Sequence, residues 1–520
     1  MRFLLLCLPA CVLWTINSPV IVSIDTLDDD SLLNIFHLYR PFFLGEDDSD
    51  GDRLEGGKEQ WVQGRWWYRL AQVCQRWRNL IFGSASHLCL SLICTNGTPV
   101  ENMLAHSPAL PLTVDYAGGD NITAEDEERI LLALKQRHRV RHLRLFFPVQ
   151  NLRKLVMAID EEFSILEYLI VYPLTRDSTA LILPETFQAP HLRHLMLRGF
   201  ACPIRPRLHP TAPGLVTLCL LMDHPSAYFQ PNILLQWISF MPQLENLEIV
   251  FTFPVPNRDV ERQLTHTPIT THITLPNLRL FFFRGVIAYL EAVVCRITTP
   301  CLERLIIQLF KQLTFCVPRL VQFMNTTENL MFDKVEITFK DEYISVLMHF
   351  HGADTHSSMV SVDCWQLDWQ VSSAVQISNG LSQAFSAVEH LTLRHEVHSQ
   401  SPEEHNDVDR IEWRKLLRSF SNVKTLDVGD GLVEQASRCL RLENGELPLE
   451  LLPELQELTY DGSEDASVAF TPFIDARQNA GRPVALFYRD PSPSALESSS
   501  EAPAITSASG EAGDEDGTET

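Results

Sequence analysis

The sequence of 520 residues lacks the short motifs that accompany most enzyme chemistry. It contains no Gly-x-x-x-x-Gly-Lys phosphate loop, no Gly-x-Gly-x-x-Gly, no Gly-x-Ser-x-Gly and no His-Glu-x-x-His. Its twelve cysteines include no Cys-x-x-Cys pair, and its eighteen histidines are dispersed. We therefore predict that the protein is not an enzyme, and we assign no catalytic residue, no cofactor and no metal site.

The chain is also short of positive charge. It has 42 Lys and Arg against 66 Asp and Glu, a formal net charge of -24, and its basic residues form no cluster. This balance opposes binding to phosphate backbones, so we predict no nucleic-acid partner. The cysteines lie in apolar runs such as Leu218-Cys219-Leu220, which is typical of reduced thiols in a cytoplasmic or nuclear protein.

Residues 1–22 form a hydrophobic leader. No charged residue occurs from Phe3 to Ile24, and Arg2 precedes the apolar run, as in a secretory signal peptide. The run contains Pro9 and Pro19 and has no Ala-x-Ala-like cleavage site, which disfavours secretion and a membrane-spanning helix. We predict a cytoplasmic or nuclear chain without membrane association, and the status of the leader stays open.

Two short amphipathic helices are predicted in residues 23–95. Three acids, Asp28 to Asp30, open a run in which Leu32, Ile35, Phe36 and Tyr39 share one face. A second helix is predicted from about residue 65 to 82, with an apolar stripe of Leu70, Val73, Cys74, Trp77, Leu80 and Ile81. The intervening acidic loop, residues 45–59, is too polar to fold alone.

This pair of helices resembles the F-box family. The resemblance rests on Leu27, on Leu32-Leu33-x-Ile35-Phe36-x-Leu38, and on Leu70-x-x-Val73-Cys74-x-x-Trp77-Arg78. The sequence departs from the family pattern at Asp28, where F-box proteins usually have proline, and in the acidic insertion.

A leucine-rich unit recurs through residues 96–489, as in Leu192-x-x-Leu195-x-Leu197. From Val140 to Leu455 the average step is about 29 residues, at the upper edge of the leucine-rich-repeat range. The units begin at Val140, Leu166, Leu192, Leu215, Leu244, Leu278, Leu302, Phe332, Val360, Val388, Val423 and Leu455.

Proline stands two residues before six of these units and serine before three others. Proline disfavours continuation of a helix, so we predict that it ends each helical return and fixes the start of the next strand. Two returns are predicted to be helical, within residues 123–139 and 232–240. The predicted fold class is therefore α/β: a small all-helical module, then a solenoid of parallel strands with helical returns. Residues 490–520 are predicted to be a disordered acidic tail.

This array resembles the leucine-rich repeats of F-box proteins, and the whole chain is similar to mushroom-type fungal F-box proteins with irregular repeats. The resemblance implies a substrate-recognition subunit of an SCF-type cullin-RING ubiquitin ligase, with the ligase adaptor and cullin scaffold as partners and an unknown protein as substrate. The residues implied in adaptor binding, whose alternative role is the core of the module, are Leu27, Leu32, Ile35, Phe36, Val73, Cys74 and Trp77.

Two other functions stay open. One is a secreted or membrane-associated leucine-rich-repeat binding protein, and a glycan on Asn121 or Asn325 would be evidence for it. The other is an F-box-like scaffold without ligase activity.

Overall fold

A computed structural model describes most of the chain between Thr26 and Arg489. The described ranges are 26–39, 66–117, 122–175, 180–201, 212–253, 272–310, 317–327, 330, 332–350, 357–396, 410–442, 449–461 and 467–489. The leader, the acidic loop 45–59, Asn121 and the tail from residue 490 lie outside these ranges. The chain divides into two compact units, Met1–Tyr228 and Phe229–Thr520, and each is described by itself.

The first unit begins with helices and continues as alternating strands and helices. Its described helices are α1 (Asp29–Tyr39), α2 (Trp66–Ala71), α3 (Gln75–Gly83), α4 (Val100–His106), α5 (Ala124–Leu134) and α6 (Val149–Met157). Its described strands are β1 (Leu92–Cys94), β2 (Leu112–Ala117), β3 (Val140–Phe147), β4 (Tyr168–Pro173), β5 (His194–Arg198) and β6 (Thr217–Met222). These strands neighbour one another in chain order, and every pair is parallel.

The second unit repeats the strand and helix alternation. Its described helices are α7 (Pro231–Ile238), α8 (Ile287–Val294), α9 (Pro318–Thr326), α10 (Leu367–Gly380), α11 (Ser382–Phe385), α12 (Arg410–Arg418), α13 (Val433–Leu440) and α14 (Ser467–Asn479). Its main strands are β7 (Asn246–Phe251), β9 (Leu280–Gly285), β11 (Arg304–Leu309), β12 (Phe332–Lys340), β13 (Tyr343–Phe350), β14 (Ser357–Asp363), β15 (His390–Glu396), β16 (Thr425–Val428), β17 (Glu457–Asp461) and β18 (Ala485–Arg489). Two short strands, β8 (Ile273–Thr274) and β10 (Ile297–Thr298), pair separately.

The α/β prediction of repeated strand and helix units in a mostly parallel sheet is confirmed. In eleven of the twelve predicted units the first, fourth and sixth residues are buried, as at Leu192, Leu195 and Leu197. The two helical returns predicted within residues 123–139 and 232–240 form α5 and α7. None of the helices in the described ranges has both the length and the apolar composition needed to span a bilayer.

The prolines of the repeat act through turns. Leu192 donates its backbone N–H to the Ala189 carbonyl at 3.1 Å, which places Pro190 at the second position of a β-turn. Proline favours that position because its ring fixes φ near the required value. The same bond precedes the units at Leu215, Leu244, Leu278, Leu302 and Leu455. Proline thus fixes the start of the strand because it occupies a β-turn that ends at the first residue of the unit.

The array departs from parallel pairing at one strand. In the second unit the strand order is β7-β9-β11-β14-β13-β12-β15-β16-β17-β18, and β13 is antiparallel to both its neighbours. Only two residues separate β12 from β13, whereas a parallel pair needs a crossover of a dozen or more. The unit predicted at Val360 is also out of phase. Val360 was predicted as the first residue of its unit, but it pairs with Ile307, the sixth residue of the unit that begins at Leu302.

The predicted helix from about residue 65 to 82 is also corrected. It is two helices, α2 and α3, interrupted at residues 72–74. Cys74 lies at the N-cap of α3 with extended backbone, and its Sγ accepts the N–H of Trp77 at 3.4 Å. A side-chain acceptor at the N-cap satisfies an N–H that no helical carbonyl can reach, so the chain starts a new helix there.

Candidate functional site

The three N-terminal helices are joined through an aromatic core. Phe36 of α1 and Trp77 of α3 are buried, and their rings meet edge to face with centroids 4.9 Å apart. Leu32 of α1 and Ile81 of α3 are fully buried as well. Three of the residues predicted to bind the adaptor, Leu32, Phe36 and Trp77, therefore lie inside the module, in the alternative role that the sequence left open.

Charged and polar groups fix the start of α1 against α3. Arg76 donates through Nε and Nη2 to Asp29 Oδ1, at 3.1 and 2.7 Å, and through Nη2 to the carbonyl oxygen of Leu27 at 2.6 Å. Asp28 accepts the N–H of Ser31 at 2.6 Å, a bond that lowers the pKa of its carboxyl. Asp28, the departure from the F-box pattern, is therefore the N-terminal cap of α1. Leu27, half-buried, contributes its backbone carbonyl.

Several large apolar side chains of the same helices are left exposed. Among the predicted adaptor residues these are Ile35 and Val73, and Val73 is 55% exposed. Leu38, which is 74% exposed, and the exposed Tyr39 and Tyr68 were not among the predicted adaptor residues. We call these five residues the N-terminal apolar set. Ile35, Leu38 and Tyr39 lie on one side of α1 by their spacing of three and four residues.

The repeat units present a second surface. The third, fifth and seventh residues of each unit lie opposite the buried leucines, and we call the side they occupy the open face. In the second unit helices pack on the leucine side, where Trp413 of α12 meets Phe339 and Phe470 of α14 meets Tyr460.

The open face of the first unit carries stacked rings and paired charges. The Tyr168 ring lies between His142 and His194, with centroids at 6.0 and 5.2 Å. The Arg198 guanidinium lies 4.3 Å from the centre of the Tyr172 ring and donates to Asp223 at 3.1 Å. This face satisfies its own charges.

A groove of about 600 Å³ crosses the open face of the second unit at the antiparallel strands. Its lining has three bands, the first apolar, with Leu347 of β13 and Met359 of β14. The second band is a row of hydroxyls, with Ser345 directly between Ser361 and Thr338 in neighbouring strands. The third band is charged and includes the loop residue Glu342 and the exposed indole of Trp365.

The charges of the groove are unevenly paired. Lys340 Nζ lies 3.1 Å from Glu396 and Arg394 Nε lies 3.2 Å from Glu336, but Arg284 reaches only to 3.9 Å from Asp363. Glu342 has no ion pair within the described ranges. Asp363 therefore has the longest ion pair of the groove, and Glu342 has none within the described ranges.

The ionisation of these groups follows from the same geometry. Burial raises the pKa of Asp363, the charge of Arg284 lowers it, and the negative charge of Glu342 raises it further. Burial by itself lowers the pKa of Lys340, but the bonds to Glu396 and Tyr343 outweigh it and raise that pKa. Lys340 is thus held as a cation by Glu396 and does not neutralise Asp363.

The groove was not found from the sequence. Its residues come from β9, β11 to β15 and the segments beside them, which only the strand order brings together. The short apolar run from Tyr343 to Met348, which contains the β-branched residues Ile344 and Val346, is the signal that could have identified the extra strand. Within the described ranges, no three His, Cys, Asp or Glu side chains are grouped so that they could hold a metal ion.

Comparison with known proteins identifies no family for this chain. No protein-family model matches the chain, and no curated protein is significantly similar to it.

Proposed function

We propose that this protein is the substrate-recognition subunit of an SCF-type cullin-RING ubiquitin ligase. In this proposal the N-terminal helices bind the ligase adaptor, which joins them to the cullin scaffold, and the open faces of the repeat units bind a protein substrate. A cytoplasmic or nuclear location belongs to the same proposal.

The observation that carries the proposal is the N-terminal apolar set. The core between α1 and α3 is already filled by Leu32, Phe36, Trp77 and Ile81, so the exposed side chains are not needed to complete it. Five large apolar residues exposed on so small a module favour a protein partner, because a partner removes them from water. Burying a side chain of this size contributes about 1.5 to 3 kcal/mol.

The repeat units support the second half of the proposal. A strand array with its leucines on one side leaves a broad row of alternate positions for recognition. The sequence carries no motif that pairs a nucleophile with a base, which favours binding over catalysis in this proposal.

The experiment is co-purification of the tagged full-length chain with endogenous adaptor and cullin from cytosol. Substituting Phe36 or Trp77 would damage the core, so the informative variant is Leu38→Lys with Val73→Lys, both at exposed positions. We expect the parent chain to retain adaptor and cullin and this variant to lose them by at least about tenfold.

The matched control is Gln72→Lys with Asn79→Lys, which adds the same charge at exposed polar positions of the same module. It should retain adaptor and cullin at the parent level. Circular dichroism and thermal melting check that both variants fold. Absence of adaptor and cullin from the parent preparation overturns the proposal, as does an equal loss in the control.

A further inference from the structure

The groove on the open face of the second unit has chemistry that selects its occupant. It carries four carboxylates, Glu336, Glu342, Asp363 and Glu396, against the cations of Arg284 and Lys340. Glu336 and Glu396 have close cations, at 3.2 and 3.1 Å. Asp363 has only the more distant Arg284, at 3.9 Å, and Glu342 has no ion pair within the described ranges. The excess negative charge therefore lies at Glu342 and Asp363, at the end of the groove that adjoins Trp365.

Trp365 is the second feature of this end. Its side chain is 66% exposed, and it has no ring or ion contact among the described residues. An exposed indole face is the aromatic surface that attracts a Lys or Arg cation most strongly. The neighbouring Tyr343 ring already lies 5.5 Å from the Lys340 ammonium, so a cation on an aromatic face is compatible with this rim.

The hydroxyl row supplies a third feature. Ser345 is 8% exposed and lines the groove, yet its hydroxyl has no hydrogen-bond partner within the described ranges. The Ser345 hydroxyl faces the groove, where it can donate or accept a hydrogen bond. A peptide group lying along the groove would satisfy it, while the apolar band of Leu347 and Met359 would contact a side chain.

We infer that this groove binds an extended protein segment carrying a Lys or Arg, whose cation lies between the Trp365 indole and the carboxylates of Glu342 and Asp363. The inference rests on the proposed function and names the class of substrate. Charge complementarity decides the occupant, because a cation is the ligand that relieves the repulsion between Glu342 and Asp363. An anionic ligand would increase that repulsion.

The test uses the immobilised full-length chain and a phage library of random twelve-residue peptides without cysteine. We expect enriched peptides to contain Lys or Arg at a recurring position. The best of them, labelled with fluorescein, is then titrated by anisotropy against the parent chain and four variants.

Glu342→Lys and Trp365→Ala should each weaken binding by at least about tenfold. The matched controls are Glu457→Lys, which changes the same charge on the open face at β17, and Trp369→Ala, which removes a half-exposed indole outside the groove lining. Both should bind within about twofold of the parent.

The inference is overturned if no peptide is enriched, if the enriched peptides lack basic residues, or if Glu342→Lys binds them like the parent. Each variant is also carried through the adaptor co-purification. Glu342→Lys should retain adaptor and cullin, and Leu38→Lys with Val73→Lys should retain the peptide, so failure of the groove and failure of the ligase proposal are distinguishable.

Discussion

The open faces of the two units are built from different side chains. In the first unit Tyr168 stacks between two imidazoles. Arg198 lies over the Tyr172 ring and forms an ion pair with Asp223. In the second unit the matching surface holds a row of hydroxyls, the long Arg284–Asp363 ion pair, and Glu342, which has no ion pair among the described residues. A surface whose polar groups satisfy one another stabilises the fold, whereas unsatisfied groups are available to a ligand.

The aromatic residues are distributed differently as well. The first unit carries rings on its open face, as in the Phe146 and Tyr172 pair at 5.4 Å. In the second unit Phe251, Phe283 and Tyr289 form a cluster that is fully buried, on the leucine side of β7 and β9. The second unit therefore has an aromatic core beneath an open face that holds the groove.

The largest effect is expected at the paired charges of the first unit. Arg198→Leu leaves the Asp223 carboxylate, 7% exposed, without its cation, and should lower the free energy of unfolding by about 3 kcal/mol. Denaturant unfolding and hydrogen exchange of the β5 and β6 amides measure this. Arg193→Leu, at an exposed position beside the same strand, should change stability by less than about 0.5 kcal/mol. Equal losses would show that Asp223 does not depend on Arg198.

The aromatic core of the second unit is tested at Gly285. A Cβ built there would lie 2.8 Å from Phe283 Cζ and 2.9 Å from Phe251 Cδ2, both ring atoms of packed side chains. Gly285→Ala should therefore destabilise the protein by about 2 kcal/mol, seen as a lower denaturant midpoint. Gly214→Ala, where no atom lies within 4 Å of the added Cβ, is the control. An unchanged midpoint for Gly285→Ala would mean that this core is loosely packed.

The ring stacking on the open face of the first unit should have a smaller effect. Phe146→Leu loses the contacts with the Tyr172 ring and with the Arg144 guanidinium, 5.6 Å away, at a cost of about 1 kcal/mol. A double-mutant cycle with Tyr172→Leu measures the coupling. Phe282→Leu, on the open face of the second unit and without a ring contact among the described residues, should cost less. A coupling energy near zero between Phe146 and Tyr172 would mean that ring stacking does not distinguish the open faces of the two units.

The smallest effect on stability is expected at the groove, and it is a stabilisation, unlike the other three. The folded state raises the pKa of Asp363, so it disfavours the carboxylate relative to the unfolded chain. Asp363→Asn should therefore stabilise the protein at pH 7 by about 0.5 kcal/mol, a small value because the side chain is half-exposed and screened. The gain should vanish as pH falls below the ordinary Asp value of 3.8. Thermal melting from pH 3 to 7 measures it, and destabilisation at pH 7 would contradict it.

The sequence predicted the repeat core because its signal is local and periodic. The first, fourth and sixth residues of a unit such as Leu166, Leu169 and Val171 are buried together since strand geometry fixes which side they face. Proline two residues before a unit predicted the strand start for a similarly local reason, a β-turn.

The antiparallel strand was missed because the spacing concealed it. The step from Phe332 to Val360 is close to the average repeat length, but β13 occupies the place of the helical return. The predicted adaptor residues divide into buried and exposed ones for another reason. Phe36 and Ile35 are adjacent and equally apolar in the sequence, and only the position of Trp77 decides that Phe36 is buried and Ile35 exposed.

The sequence by itself determined the α/β class and the positions of eleven repeat units, because these depend on residues within a few positions of one another. Tertiary structure alone decided the groove. Ser345, Ser361 and Thr338 become neighbours only through the order β14-β13-β12. The excess negative charge at Glu342 and Asp363 depends on where Arg284 and Lys340 reach. Pairing between distant strands and charge balance across them are properties of the packed chain.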